Sequence, residues 1–253
     1  MKIISWNVNG VRSVISKNEL PKLLKSKADF YCFQELKSQE KDIPSELSNL
    51  KGYQLYLNCG ERKGYSGVGI LTNQQPITIE TKIGFNPFDK EGRFLLLEFK
   101  NYILINLYVI NGGQKKEKLE YKLNFYNHLL KKYLPKLKHK NIILIGDFNI
   151  AHQEIDLARP KENKNSIMFT PEERKQIDKL LTLDFIDTFR HLNKEGHNYT
   201  WWPYFANARI RNLGWRIDYC FISKPLLPKL QTVFIIPNQL GSDHCPIGIS
   251  INL

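Results

Sequence analysis

The stretch IILIGDFNIAHQEID, residues 142–156, joins a run of branched apolar residues to a dense group of polar ones. The apolar run predicts a buried strand, and Asp147 and Asn149 follow it two residues apart. Because residues two apart on a strand point to the same side, both side chains should emerge together while Phe148 turns into the core. The spacing predicts a site with two polar groups at the end of this strand.

Other predicted strands end in the same way. The polar residues concerned are Asn7 and Asn9 in SWNVNG, Glu35 after YCFQ, Tyr108 and Asn111 in LYVING, Asp218 in RIDY, and Asp243 with His244 in GSDH. Taken singly, each has an ordinary explanation, since Asn and Asp cap turns and a lone Glu or His is usually solvated or a satisfied core group. As a set they indicate a polar site, because an acid inside an apolar strand requires a hydrogen-bond partner or a cation.

The acids and amides of this set fit a metal site for phosphodiester hydrolysis. Glu35, with Asn7 or with Asp243 through a water, offers the oxygen ligands that Mg²⁺ or Mn²⁺ prefers. No Cys/His cluster in the sequence indicates zinc. We therefore expect Mg²⁺ as the cofactor, with Mn²⁺ as a substitute.

The remaining residues of the set fit the proton transfers of the same reaction. Asp147 is expected to orient and deprotonate an attacking water. Asn149, Tyr108 and His244 are expected to donate hydrogen bonds to the charge that grows on the phosphoryl oxygens. Asp218, if it meets His244, would fix the tautomer of the imidazole and keep it protonated.

The elements that must hold these residues alternate between strand-like and helix-like segments. Apolar spacing predicts one helix from about Val11 to Lys27 and another through Leu119 to Leu134, and TPEER predicts a helix start capped by Thr170 and Glu173. Closely spaced strands such as GVGILTN, RFLLLEFK and YILINLYV favour hairpins and mixed sheets. Roughly ten strands and a few helices without a linker predict an α/β fold in one domain, two packed mixed β-sheets flanked by helices over residues 1–253.

The formal net charge is +12, from 37 Lys and Arg against 25 Asp and Glu. Such a surface attracts polyanions, and nucleic acid is the expected partner, although a merely Lys-rich composition is an alternative. Arg209, Arg211 and Arg216 stand in NARIRNLGWR beside Trp215. Because Arg with an aromatic residue suits phosphate binding and base stacking, Arg209 and Arg216 are expected to contact DNA phosphates.

Composition also bears on the compartment. No apolar run approaches the ~20 residues of a membrane span, so no membrane partner is expected. The start MKIISWNVNG has too short an apolar run for a signal peptide, so we expect a cytoplasmic protein, with the bacterial cytosol favoured and the nucleus left open. The four Cys show no CxxC spacing and are expected to be buried thiols.

The motifs WNVNG, QELK, GYSGVGIL, EGRF, LYVING, GDFNIAHQEID, GWRIDY and GSDHCPI, in this order over almost the whole chain, resemble those of exonuclease III-type apurinic/apyrimidinic (AP) endonucleases. The resemblance implies a DNase I-like four-layer α/β sandwich. It also implies a monomeric DNA-repair enzyme that hydrolyses the phosphodiester 5′ to an abasic site in duplex DNA, with 3′-phosphodiesterase, 3′-phosphatase and 3′–5′ exonuclease activity on blocked 3′ ends.

Carried over by position, the resemblance also implies roles for individual residues. Glu35 would be the principal metal ligand, with Asn7, Asn9 and Asp243 nearby. Asn111 would contact the scissile phosphate together with Tyr108. The remaining expected substrate contacts are Arg93 in EGRF and the aromatic wall of a pocket for the flipped-out abasic sugar, formed by Trp201, Phe205 and Trp215.

Two positions depart from the family pattern. Gln114 stands where some relatives have an Arg, and Ser166, Ile167 and Met168 stand where many read Asn-Ala-Gly. The second change places Ile167 beside the expected sugar pocket and could tighten it. Two rival functions stay open from the sequence: a DNase I-like or phosphoinositide-type phosphodiesterase, and a DNA-binding module without catalysis. The basic charge disfavours a lipid substrate, and the complete set of polar strand ends disfavours a non-catalytic module.

Overall fold

The computed structural model describes residues 1–253, in which twelve strands form two six-stranded sheets. The strands are β1 (Lys2–Asn7), β2 (Phe30–Gln34), β3 (Gln54–Asn58), β4 (Val68–Thr72), β5 (Thr78–Glu80), β6 (Phe94–Glu98), β7 (Ile103–Tyr108), β8 (Ile142–Asp147), β9 (Phe185–Asp187), β10 (Asp218–Ser223), β11 (Leu230–Ile235) and β12 (Ile247–Ile251). Their order is β11-β12-β1-β2-β4-β3 in the first sheet and β5-β6-β7-β8-β10-β9 in the second. Both sheets are mixed, because β1–β2 and β7–β8 are parallel pairs among antiparallel neighbours.

The helices are α1 (Val11–Ser16), α2 (Glu19–Leu24), α3 (Ser45–Ser48), α4 (Asn86–Asp89), α5 (Leu119–His128), α6 (Pro171–Leu181) and α7 (Thr188–Leu192). The single helix predicted from Val11 to Lys27 is wrong, because Asn18 adopts a left-handed φ of 58° and separates α1 from α2. The second predicted helix stops being α-helical after His128 and continues as a π turn and a 3₁₀ turn that includes Pro135. The predicted start of α6 is confirmed, with Thr170 and Glu173 in a capping box.

Three buried clusters account for the layers. The cluster between the two sheets takes side chains from both of them, among them Phe30 from the first sheet and Ile143 from the second. The outer face of the second sheet packs on α5 and α6, where Phe125 of α5 is part of the buried cluster. The outer face of the first sheet packs on α1 and α2. Burying each such Leu, Ile or Phe side chain contributes about 1.5–3 kcal/mol. The predicted arrangement of two packed mixed sheets with helices outside is confirmed.

The parallel pairs bring several strand ends to one edge of the sandwich. In the second sheet Tyr108 is opposite Asp147, and Asp147 is opposite Asp218, the first residue of antiparallel β10. In the first sheet Asn7 is opposite Gln34, the residue before Glu35. The polar strand ends predicted from the sequence therefore lie at a common edge. None of the helices combines the length and the apolar character that crossing a bilayer requires.

Candidate active site

Two residues at this edge leave the strand conformation in the same way. Glu35 follows β2 with a φ of 52°, and Asn149 follows β8 with a φ of 52°. The left-handed region costs a non-glycine residue roughly 1–2 kcal/mol. For Asn149 the turn is stabilised locally, because its backbone N–H donates to Asp147 Oδ1 at 2.9 Å. The two turns direct both side chains back over the strand ends.

Asp147 lies at the centre of the site and is buried. Its Oδ2 accepts hydrogen bonds from Asn7 Nδ2 at 2.9 Å and from Asn149 Nδ2 at 3.1 Å. Asn7 Nδ2 also donates to Glu35 Oε1 at 3.0 Å, so one amide connects the two carboxylates. The side-chain oxygens of Glu35 and Asp147 and a ring nitrogen of His244 lie within 4.8 Å of one another.

His244 and Asp218 form the buried pair that the sequence anticipated. His244 Nδ1 lies 2.9 Å from Asp218 Oδ2, and its Nε2 lies 3.9 Å from Asp147 Oδ2. Burial alone would lower the pKa of His244, but Asp218 and then Asp147 outweigh it and raise the pKa to about 10. The imidazole is therefore protonated at neutral pH and can donate from both nitrogens.

The two principal acids have opposite pKa shifts. Burial, and then the charge of Asp218, raises the pKa of Asp147 to about 8 when no cation is bound. Burial also acts to raise the pKa of Glu35, but Lys37 and the hydrogen bond from Asn7 outweigh it and lower that pKa. The ammonium of Lys37 lies 2.9 Å from Glu35 Oε2. Glu35 is thus an ionised carboxylate, whereas Asp147 is held in an excess of negative charge.

The donor set fits a divalent cation with oxygen ligands. Acids outnumber bases around Asp147, and Asp218 Oδ1 is buried without a hydrogen-bond partner. Protonated His244 cannot act as a ligand, so the ligand atoms offered to a cation are the carboxylate oxygens of Glu35 and Asp147. Asn7 turns its amide nitrogen toward them, and its oxygen accepts from Asn9 N at 3.0 Å. To act as the predicted metal ligand, Asn7 would need its side-chain amide rotated so that Oδ1 instead of Nδ2 faces the carboxylates.

Asn9 and Asp243 form an adjoining polar group. Asn9 Nδ2 donates to Asp243 Oδ1 at 2.8 Å, and Trp201 Nε1 donates to Asp243 Oδ2 at 3.0 Å. Lys37 also donates to Asn9 Oδ1, so one ammonium joins this group to Glu35. Asp243 therefore adjoins the acid cluster through Asn9, and its carboxylate accepts hydrogen bonds from Asn9 and Trp201.

Tyr108 closes the site on the side of β7. Burial and then the Glu35 carboxylate raise the pKa of Tyr108 well above its ordinary value, so the phenol keeps its proton and can donate. The guanidinium of Arg93 lies 4.4 Å from the centre of the Tyr108 ring, and its Nη2 donates to Tyr65 at 2.8 Å. Arg93 is only 2% exposed. Its predicted direct contact with substrate is corrected to support of the Tyr108 ring.

An apolar cluster adjoins the acids where a pocket for the sugar was expected. Trp215 packs there with Met168, and the ring of Trp201 lies 6.4 Å from that of Trp215. Met168 has a left-handed φ of 68°, and its Sδ accepts from Asn111 Nδ2 at 3.3 Å. Ile167 packs against this cluster. Met168 thus occupies space between the aromatic wall and the amide expected to reach phosphate.

Three predicted substrate residues lie elsewhere than expected. Phe205 is 74% exposed and does not contribute to the wall of the apolar cluster. Arg216 is buried and pairs with Asp156 and Asp187, at 2.7 Å in each case, so the prediction that it grips DNA phosphate is wrong. Arg209 donates to the carbonyl oxygens of residues 237, 239 and 242, which leaves its guanidinium committed to the backbone.

Lys37 is the residue at this site that the sequence reasoning missed. The motif QELK indicates Glu35 as the polar strand end but does not by itself assign a role to its last residue. The available signal was the spacing, because Lys37 follows the strand-end acid Glu35 by two residues. Its positive φ of 50° is what turns the side chain back toward Glu35, and that turn could not be read from the sequence.

Residues 4–244 match the Endonuclease/Exonuclease/phosphatase family. The chain belongs to this family. It is 40% identical to the exodeoxyribonuclease of Bacillus subtilis (strain 168), with all of both chains covered. It is also 40% identical to the DNA repair nuclease APEX1 of Danio rerio, over 98% of this chain and 81% of that protein. Within the family it is therefore a hydrolytic nuclease of the exodeoxyribonuclease and AP endonuclease group.

Solved structures give the same result for the fold. An AP endonuclease from Archaeoglobus fulgidus superposes with a TM-score of 0.90 at 28% identity, with all of both chains covered. The 3′ phosphatase NExo from Neisseria, solved with a product DNA hairpin, superposes with a TM-score of 0.90 at 26% identity, again over both whole chains. The DNase I-like architecture expected from the resemblance is confirmed.

Proposed function

We propose that this chain hydrolyses the phosphodiester 5′ to an abasic site in duplex DNA and also removes blocking groups from 3′ ends, with Mg²⁺ as its cofactor and Mn²⁺ as a substitute. The observation that carries the proposal is the convergence of Glu35, Asp147 and His244 within 4.8 Å. The names of the relatives support DNA as the substrate class, and the net charge of +12 agrees with it. Action as a monomer in the cytoplasm is part of the same proposal.

Glu35 and Asp147 are the residues that would hold the cation. When bound, a divalent cation at these oxygens neutralises charge on the leaving oxygen and lowers the pKa of the neighbouring carboxyl groups. Ionised Asp147 is then the base that orients a water and takes its proton. The two amide donors on its Oδ2, from Asn7 and Asn149, fix the direction of that carboxylate.

Two hydrogen-bond donors at this edge, His244 and Tyr108, are the groups that would stabilise charge on the phosphoryl oxygens. His244 is protonated and held by Asp218 through Nδ1, so its Nε2–H is free to donate to a phosphoryl oxygen. Tyr108 keeps its phenolic proton and would be the second donor. Removing one such donor from a hydrolytic site typically costs about 10²–10³-fold in turnover.

The experiment that tests this proposal uses three matched duplexes: one with an internal abasic site, one with a 3′-phosphate and one with an intact recessed end. Cleavage of the first two is expected in Mg²⁺ and in Mn²⁺, with complete loss in EDTA and recovery when metal is restored. Full activity in EDTA, or no reaction on the abasic and 3′-phosphate duplexes in either metal, would reject the proposal.

A further inference from the structure

Lys122 lies on α5 with its side chain fully buried, behind the loops that carry Asn111 and Asn149. Its ammonium donates to the carbonyl oxygen of Asn149 at 2.6 Å and to that of Asn111 at 3.3 Å. A third donation goes to Glu173 Oε1 at 2.5 Å. All three N–H groups have acceptors, so this one side chain joins two active-site loops to α6.

The backbone of the loops after β7 and β8 depends on contacts from other parts of the chain to keep its conformation. The loop after β7 contains Gly112 and Gly113 with φ of 100° and 81°, and glycines in this region leave the backbone little intrinsic preference. Asn149 holds a left-handed φ while its side-chain nitrogen contacts Asp147. A shift of the Asn149 carbonyl would therefore move the amide that orients the Asp147 carboxylate.

Glu173 is held firmly at the start of α6. Its Oε2 accepts from Thr170 N at 3.1 Å and from Thr170 Oγ1 at 3.0 Å. The Glu173 backbone N–H donates back to Thr170 Oγ1 at 3.2 Å. The ammonium is thus fixed from the helix side, and its two remaining N–H groups are directed at the loop carbonyls.

Stability alone is a weak reason for this arrangement. A buried ion pair can often be replaced by apolar residues of similar volume without loss of stability, whereas removal of one partner is costly. A pair kept for stability would need no further bonds to the loops at the catalytic edge. We propose that Lys122 is a positioning residue, which holds the backbone at Asn149 and Asn111 and thereby keeps the Asn149 amide on the Asp147 carboxylate and the Asn111 amide beside the acids.

This inference rests on the proposed nuclease function, and two variants separate it from a purely structural role. Glu173→Gln removes the ion pair but leaves the Lys122 amine bonded to both loop carbonyls. Lys122→Met/Glu173→Gln removes both charges of the pair and both loop bonds, whereas Glu173→Gln keeps the loop bonds but leaves the Lys122 nitrogen without its carboxylate partner. Turnover and KM are measured on the duplex that the wild type cleaves best, at a temperature where both variants are folded by circular dichroism.

The expected result is a split between turnover and binding. Glu173→Gln should keep turnover within about 3-fold of the wild type. The double variant should lose about 10- to 10²-fold in turnover with KM changed less than about 3-fold, because small misplacements of catalytic groups have effects of this size. Equal turnover in the two variants would overturn the proposal and leave Lys122 a structural residue.

A second readout does not depend on activity. Hydrogen–deuterium exchange of residues 108–114 and 147–151 should be faster in the double variant than in Glu173→Gln, and equal exchange would also overturn the proposal. If the double variant does not fold, Lys122→Gln/Glu173→Gln takes its place, since its shorter neutral side chain cannot reach both carbonyls. A wild type inactive on DNA would reject the proposed function, while the exchange comparison would still decide the role of Lys122.

Discussion

Two buried charged networks each take residues from the same two stretches of sequence, GDFNIAHQEID and GWRIDY, but their charges are balanced differently. In the first, Asp147 and Asp218 share one imidazolium, and one oxygen of Asp218 has no partner. In the second, Asp156 and Asp187 are matched by Arg216 and by Arg190, which donates to Asp156 at 2.7 Å. The first network has unmatched negative charge and the second has none.

The pKa shifts express the same difference. Burial and the nearby Asp218 raise the pKa of Asp147 to about 8. Burial would also raise the pKa of Asp156, but Arg216 outweighs it and the pKa of that carboxyl is lowered. A charge left uncompensated in a buried place is costly and requires a reason, such as a cation or a substrate. The balanced network instead fixes the loop that carries Trp215 and leads into β10.

The largest expected effect is at the unmatched network. Glu35→Ala should reduce turnover by roughly 10³-fold, because several kcal/mol of charge stabilisation by a metal depend on this ligand. It should also weaken Mn²⁺ binding measured by electron paramagnetic resonance. Glu154→Ala removes an exposed acid of the same charge and serves as the control. Unchanged Mn²⁺ affinity in Glu35→Ala would reject the ligand assignment.

The balanced network should respond in stability instead. Arg216→Met leaves two buried acids short of a partner, and we expect the free energy of unfolding to fall by about 3–5 kcal/mol. Denaturant titration measures this loss, with exposed Arg211→Met as the control. The salt dependence of DNA affinity should stay the same in Arg216→Met. A flatter dependence would mean that Arg216 reaches phosphate after all.

A pH series distinguishes the networks without a mutation. His244 has a folded pKa of about 10, above its ordinary value, so its contribution to stability is complete below about pH 6.5 and is lost as the pH rises through 10. In EDTA the free energy of unfolding should therefore fall by at least about 1 kcal/mol per pH unit between about pH 7 and 9, and Asp147, whose pKa is raised to about 8, adds to the fall in the lower half of that window. Asp156 has a lowered pKa, so its contribution is constant in this window. Asp218→Asn should flatten the slope, and an equal slope in that variant would contradict the assignment.

The smallest expected effect concerns the apolar cluster next to the acids. Met168 packs against Trp215, and Ile167 lies against the same cluster. Replacing them together by Ile167→Ala and Met168→Gly removes several heavy atoms, which should raise incision at internal abasic sites several-fold relative to 3′-phosphate removal. A frayed 3′ end reaches the acids without complete extrusion of a sugar. Equal change on both duplexes, or none, would reject this steric effect.

The sequence predicted features that depend on local spacing. The apolar run placed Asp147 at a strand end, and the capping pattern placed the start of α6 at Thr170, whereas Asn149 meets Asp147 through a left-handed turn instead of through strand alternation. The sequence failed where the partner of a side chain lies far along the chain. From the sequence, Arg216 beside Trp215 is predicted to contact nucleic acid. Its actual partners, Asp156 and Asp187, lie 60 and 29 residues away along the chain, so local spacing does not reveal them. Burial of Arg216 depends on the packing of both segments, which spacing does not encode.

A comparison of Asp147→Asn with Arg216→Met, in turnover on abasic duplex and in stability in EDTA, separates the catalytic network from the structural one. Asp147→Asn should lower turnover by about 10²-fold or more because the base is lost, while stability stays equal or rises because burial disfavours the ionised Asp147 carboxyl and the amide cannot ionise. Arg216→Met should lose stability and keep most of its turnover at a temperature where it is folded. Normal cleavage by Asp147→Asn, or a large loss of its stability, would contradict the account.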